Sequence, residues 1–351
     1  MSYNANAPKN FGEVRFKYDM RSDTVTRPTP EMITQMTLAR VGDDVYGEDA
    51  STYDLECRMA NLCGKEAGLF CVSGTLSNQL ALRTHLVAPP YSVLCDANSH
   101  INVYEAGGVA FHSRALTITV NPKNSKYITV EEVKKSFIYD DEDIHCAPTR
   151  VISLENTING VVVPIDELKK IHAFAKENGA IMHLDGARLW NASVKSGVSF
   201  EEYGKYFDSM SICFSKGMSA PIGSMLVVII ELLTNYIHLN RWRQSGFIAE
   251  AANFAIDNIL PLLKNDHERA SNLASNLSEM GIKFDHPVET NMVFADFGSV
   301  GLNTFDVANE LEKCGVLIMP YTDTVGRIVY HHMIDDGATE IITSTIKKLI
   351  K

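Results

Sequence analysis

The chain has 351 residues, 45% of them hydrophobic and 21% charged, with a formal net charge of −11. This is the composition of an ordinary globular enzyme with room for one large domain and a smaller one, and the acidic balance argues against a nucleic-acid-binding surface. No stretch reaches membrane-spanning length, since the apolar run 225–230 stops at Glu231. Residues 1–10 are polar and lack the core of a signal peptide, and the seven cysteines read as reduced small hydrophobes, so cytosol is the expected compartment.

In chain order, residues 68–72 read as a strand and 75–86 as the helix after it. Residues 91–95 and 150–154 are further strands, the second followed by a helix over 165–177. Two more apolar strands end at Asp185 and just ahead of Lys216, and 225–230 is another. Alternation of this kind implies an α/β fold with a mainly parallel sheet covered on both faces. From about residue 261 the texture changes to a long polar helix, an alternating segment over 282–297, another segment over 316–331, and a closing helix. The expected division is an N-terminal segment 1–20, a large α/β domain 21–262 and a small α+β domain 263–351.

Lys216 follows Ser211-Ile212-Cys213-Phe214-Ser215, an apolar run that ends in a lysine among small residues. A lysine there either reaches water or is used, because a desolvated amine is a good imine-forming nucleophile. Asp185 ends Ala180-Ile181-Met182-His183-Leu184, and is either the N-cap of a following helix over 187–192 or the partner of a cationic ring nitrogen. Together, at the carboxyl ends of strands where open sheets bind ligands, the two residues point to pyridoxal phosphate.

The turn Val72-Ser73-Gly74-Thr75-Leu76-Ser77-Asn78-Gln79 offers an anion cradle at a helix N-terminus, although Ser73 or Thr75 would serve equally as a plain cap. His100 and His145 are loop histidines that either work in a cleft or face solvent, and Glu155 ends a buried strand in a polar group that is expected to face the same cleft. Arg327 starts a strand, where it would clamp a carboxylate or make a surface ion pair. Neither a dinucleotide fingerprint, a Walker sequence nor metal-ligand spacing is present.

Successive blocks of the chain resemble the low-specificity L-threonine aldolases. They are Arg21-Ser22-Asp23-Thr24-Val25-Thr26-Arg27-Pro28, Gly42-Asp43-Asp44-Val45-Tyr46-Gly47-Glu48-Asp49, Gly64-Lys65-Glu66-Ala67 and Ser73-Gly74-Thr75-Leu76-Ser77-Asn78. Ser153-Leu154-Glu155-Asn156-Thr157, His183-Leu184-Asp185-Gly186-Ala187-Arg188 and Ser215-Lys216-Gly217 continue the series. The resemblance runs from about residue 18 to the C-terminus. It implies the aspartate-aminotransferase fold type (fold type I), a homotetramer with active sites shared between subunits, and a small amino-acid substrate.

By position, the resemblance makes Lys216 the covalent anchor of the cofactor and Asp185 the partner of its ring nitrogen. Arg188 would contact the ring oxygen, His100 the ring face, and Gly74 and Thr75 the phosphate. Ser22 and Arg327 would hold the substrate carboxylate, Tyr46 would reach in from a neighbouring subunit, and His145 would lie near the substrate hydroxyl. The base is left open among His100, His145 and a water that they position.

One departure stands out. Relatives carry a glycine triplet shortly before an Arg-Gln-Ser-Gly block, whereas here His238-Leu239-Asn240-Arg241-Trp242 runs straight into Arg243-Gln244-Ser245-Gly246. Arg243 is the expected phosphate contact from this loop, and a shortened loop would displace it. The implied reaction is retro-aldol cleavage of threonine and allo-threonine toward glycine. The alternatives are an alanine-type racemase on the same scaffold and a catalytically impaired relative.

Overall fold

The computed structural model describes residues 16–140, 143–229 and 241–350. The loop that lacks the triplet lies, over residues 230–240, outside the described residues, as do residues 1–15 of the N-terminal segment. In chain order the first strand is β1 (Tyr18–Asp19), followed by β2 (Ala67–Cys71), β3 (Ser92–Asp96) and β4 (Leu116–Val120). Then come β5 (Thr149–Glu155), β6 (Ile181–Asp185), β7 (Ser209–Cys213) and β8 (Ser224–Val228).

Strands β2 to β8 form one sheet in the order β2-β8-β7-β6-β5-β3-β4. Strands β7, β6, β5, β3 and β4 run parallel, and β8 is antiparallel to both of its neighbours. The sheet is therefore mainly parallel, as the alternation of elements predicts. Every residue of β3, β7 and β8 is buried. Strands covered on both faces need not alternate polar and apolar residues, and so β8 carries no mark of its direction.

The helix expected over 165–177 spans Ile165–Glu177, and the one expected over 75–86 spans Gly74–His85. The second helix packs close to the sheet because small hydroxyls face each other there: Ser77 Oγ meets the Oγ atoms of Ser211 and Ser224. A large core joins the sheet to helices on its faces through residues such as Phe70, Leu154, Ile171, Trp190, Phe214 and Met225. Trp190 is fully buried and donates its indole N–H to the Cys213 carbonyl at 2.9 Å, so its one polar group is satisfied. Truncating an aromatic of this kind costs about 3–5 kcal/mol.

A second core lies beyond residue 263. It is built on β9 (Lys283–Phe284), β10 (Met292–Asp296), β11 (Val316–Leu317), β12 (Met319–Pro320) and β13 (Val325–Val329). Four of these make an antiparallel sheet ordered β12-β13-β10-β9, and β1 pairs in parallel with β11. Helices Leu263–Glu279, Thr304–Lys313 and Asp336–Leu349 pack on it. Tyr18 and Met20 belong to this core, so residues 18–20 are part of the small unit rather than a segment apart. From there the chain leads directly to Ser22 and Asp23. Among the described residues, no single helix is long and apolar enough to cross a membrane.

Candidate active site

Because β2, β3, β5, β6 and β7 point the same way, the residues after their carboxyl ends meet at one edge of the sheet. They line a pocket of about 120 Å³ made by Ser73, Gly74, Thr75, Asn78, His100, Asp185, Ala187, Cys213, Ser215 and Lys216. Five of the residues expected from sequence (Gly74, Thr75, His100, Asp185 and Lys216) are thus brought together by the fold.

Lys216 donates from Nζ to Cys213 Sγ at 3.3 Å. Burial opposes its charge, yet Cys213, Asp185 and Asp23 together hold its pKa above the ordinary lysine value despite the nearby Arg188. The amine must therefore lose a proton before it attacks a carbonyl.

Asp185 is buried, with Oδ1 accepting from the Ala187 backbone N–H at 3.0 Å and Oδ2 from Asn78 Nδ2 at 2.8 Å. The following helix starts at Leu189 with Arg188 as its N-cap residue, so the capping role considered for Asp185 does not hold. Its carboxylate closes a turn two residues on instead, and its other oxygen is held at the pocket by Asn78. Glu155, expected to face the same cleft, lies beside Asp185 in register but lines a separate small cavity with Asp96 and Leu154, and its Oε2 accepts from the His100 backbone N–H at 2.9 Å; burial and the Asp185 charge push its pKa up to about 7.

At the turn after β2 the structure shows the cap that the sequence allowed. Ser73 caps the helix by accepting from the Leu76 N–H at 3.1 Å, which leaves the earlier N–H groups of Gly74 and Thr75 free at the pocket. A Cβ on Gly74 would lie 2.6 Å from Cys213 Sγ, so glycine is required by close approach.

His100 bonds through Nδ1 to Glu105 Oε1 at 2.8 Å. A carboxylate only accepts, so Nδ1 carries the proton, and Nε2 makes no hydrogen bond within the described chain. The Glu105 hydrogen bond outweighs burial and raises the His100 pKa above the usual histidine value. Glu105 and Asn78 were not singled out as site residues. The available signal was a pair of amides, Asn78 and Gln79, on a helix whose face is buried.

The second cluster lies next to the pocket. Ser22 caps the short turn Asp23–Val25. Asp23 is fully buried and pairs bidentately with Arg188, at 2.8 Å to Nε and 2.6 Å to Nη2. Burial pushes the Asp23 pKa up, but the Arg188 charge and hydrogen bonds prevail and hold it below the ordinary carboxylate value. Arg188 therefore keeps Nη1 and the second Nη2 hydrogen uncommitted among the described residues. Arg327, on β13, donates from Nη2 to the Arg21 carbonyl at 3.0 Å, and its buried Nε has no partner. Burial and the neighbouring Arg188 push its pKa down. Among the described residues no carboxylate forms an ion pair with it, so the surface-pair alternative does not hold.

Three further expected residues lie in neither the pocket nor the cluster beside it. His145 is exposed on the loop ahead of β5, at the amino ends of the parallel strands, about 20 Å of strand away from the Glu155 end. It cannot join the site formed by its own chain. Tyr46 is 77% exposed on the turn Asp44–Tyr46. Arg243 is exposed and pairs with Asp43 at 2.8 Å, so it too is committed elsewhere in the single chain.

Residues 19–299 match the family model described as beta-eliminating lyase. The low-specificity L-threonine aldolase of Eremothecium gossypii is 45% identical over 334 residues, covering 93% of this chain and 86% of that protein. The low specificity L-threonine aldolase of Saccharomyces cerevisiae is 44% identical over 336 residues, covering 94% of this chain and 86% of that protein. Among solved structures, the threonine aldolase of Leishmania major superposes with a TM-score of 0.81 at 18% identity, covering 95% of this chain and 100% of that one, a likeness of fold. The chain belongs to the beta-eliminating lyase family.

Proposed function

We propose that the pocket holds pyridoxal phosphate and cleaves L-threonine and L-allo-threonine to glycine and acetaldehyde. The observation that carries this reading is the convergence of Lys216, the buried Asp185 carboxylate and the glycine-opened helix end in one pocket. Lys216 would anchor the cofactor, Asp185 would hold its ring nitrogen, Gly74 and Thr75 its phosphate, and Arg188 its ring oxygen through Nη1. When bound, the cofactor supplies an electron-accepting ring next to the substrate Cα.

The chain's own residues do the rest. Arg327, with its unpartnered Nε, and the neighbouring Ser22 bind the substrate carboxylate and fix which bond at Cα is aligned for cleavage. His100 Nε2 takes the proton of the β-hydroxyl, the Cα–Cβ bond breaks and acetaldehyde leaves. A proton delivered to Cα completes glycine. Of the bases left open by sequence, His100 is the histidine whose open nitrogen lines the pocket. The exposed Tyr46 and Arg243 act, in this reading, on the site of a neighbouring subunit in a tetramer.

Adding L-allo-threonine to the protein reconstituted with pyridoxal phosphate tests the reading. Acetaldehyde release, with none from Lys216→Ala, supports it. D-alanine formed from L-alanine without aldehyde would point to the racemase, and no visible cofactor band at all to the impaired relative.

A further inference from the structure

Behind Asp185 runs a buried chain of polar groups that the proposed reaction does not use. Asn78, which is 1% exposed, donates one amide hydrogen to Asp185 Oδ2 at 2.8 Å and the other to Glu105 Oε1 at 2.9 Å. Its Oδ1 lies 3.1 Å from His183 Nε2. His183 Nδ1 lies 2.8 Å from Ser209 Oγ, and that hydroxyl lies 2.8 Å from His85 Nε2.

The direction of each bond follows from the first. Two carboxylates accept, so both Asn78 hydrogens are spent and Oδ1 must accept from His183 Nε2–H. His183 then has a lone pair at Nδ1, which takes the Ser209 hydroxyl proton, and Ser209 in turn accepts from His85 Nε2–H. Burial lowers the pKa of His183 to about 3 and that of His85 to about 4, so both rings stay neutral, as this sequence of donors requires. An amide does not pass protons along, so the chain is an orienting device and not a proton wire.

Its effect is on charge. Asp185 is solvated here by neutral donors, Asn78 and the Ala187 N–H, and among the described residues no cation bonds to it. The charged groups around it are Glu155 on the adjacent strand, Glu105 and His100 across Asn78, Lys216 at the pocket wall and Arg188 in the cluster beside it. We propose that Asn78 is a positioning residue: locked in one amide orientation by His183, Ser209 and His85, it holds the Asp185 and Glu105 carboxylates in place without neutralising them. It thereby leaves Asp185 free for a cationic ring nitrogen and Glu105 free to fix the His100 tautomer. The same network explains why amide and imidazole side chains occupy a region that the sheet would otherwise fill with apolar groups.

The inference rests on the cofactor reading given above, and two variants separate the two claims. Asn78→Ala removes the hub, while Ser209→Ala keeps Asn78 but frees the tautomers that orient it. The measurements are the pH midpoint of the visible band of the lysine-linked cofactor and kcat and KM for L-allo-threonine, on protein shown to be folded by circular dichroism. Losing a buried hydrogen bond to a charged group predicts a midpoint shifted by about one unit in Asn78→Ala. The expected kcat is about tenfold lower with KM little changed, and Ser209→Ala moves the midpoint the same way by less. Folded Asn78→Ala protein with the wild-type midpoint and kcat overturns the inference. A wild-type protein without any visible band overturns the cofactor reading instead.

Discussion

If His100 is the base, its partner Glu105 sets the pH at which the enzyme works. The base must be neutral, so activity rises with pH through the His100 pKa, which the Glu105 hydrogen bond holds above the ordinary histidine value. Glu105→Gln removes the charge and keeps the shape. The substituted amide can still accept from His100 Nδ1–H and Asn78 through its oxygen. Its nitrogen would face Gln79 Nε2, but turning the Gln79 amide over lets Oε1 accept from it and leaves Gln79 Nε2 as the unpartnered atom in place of Oε1. A charge-assisted hydrogen bond is worth about 1.5–3 kcal/mol, or about one to two pH units at full strength. The His100 side chain is 38% exposed, and solvent screening reduces this to about one unit. The acid limb of kcat/KM for L-allo-threonine in Glu105→Gln should therefore move about one unit to lower pH, while the plateau changes far less. A limb that stays in place would refute the assignment of His100, whatever happens to the plateau. His100→Asn should instead lower the plateau by about 10²–10⁴.

Asp23→Asn should cost about 3–5 kcal/mol at pH 7, because it leaves Arg188 buried without its partner. The Asp23 pKa is depressed in the fold, so its contribution is present above the unfolded value and is lost as pH falls through the folded one; urea melts of the two proteins should differ at neutral pH and converge at acid pH. Asp266 is buried with neither carboxylate oxygen hydrogen-bonded, and burial raises its pKa to about 7. Wild-type stability should then fall as pH rises from the ordinary carboxylate value to about 7, and Asp266→Asn should gain more Tm relative to wild type at pH 8.5 than at pH 5; an equal difference at both values would sink the argument. Gly74→Ala places a Cβ against Cys213 Sγ, so cofactor retention on dialysis should drop while the melt is little changed, and adding Cys213→Ala should restore part of it.

Why some of this was legible and some was not follows from which residues carry local signals. Lys216 and Asp185 stand out because two charges that each end an apolar strand support one another, and Gly74 because a glycine between a strand and a helix signals a close approach, here to Cys213. The alternation of elements predicts the parallel sheet. The antiparallel β8 was not visible, since a doubly covered strand reads the same in either direction. Glu105 and Asn78 were missed because their role depends on contacts made only after folding: Asn78 touches Asp185 across 107 residues and Glu105 across 27. His145 lies away from its own chain's pocket for the converse reason. Its motif is recognisable, but a position just before β5 puts it at the wrong end of the sheet for its own chain's pocket. The same limit applies to Tyr46 and Arg243, whose surroundings in one chain are solvent and local acids.

The central claim is that Lys216 anchors a cofactor in this pocket and that the pocket breaks the Cα–Cβ bond of threonine. The most direct test compares wild type and Lys216→Ala after reconstitution with pyridoxal phosphate, reading the visible spectrum and acetaldehyde release from L-allo-threonine in the same sample. The account predicts a visible band and aldehyde in the wild type and neither in the variant. Undiminished aldehyde release from a correctly folded Lys216→Ala protein would contradict it.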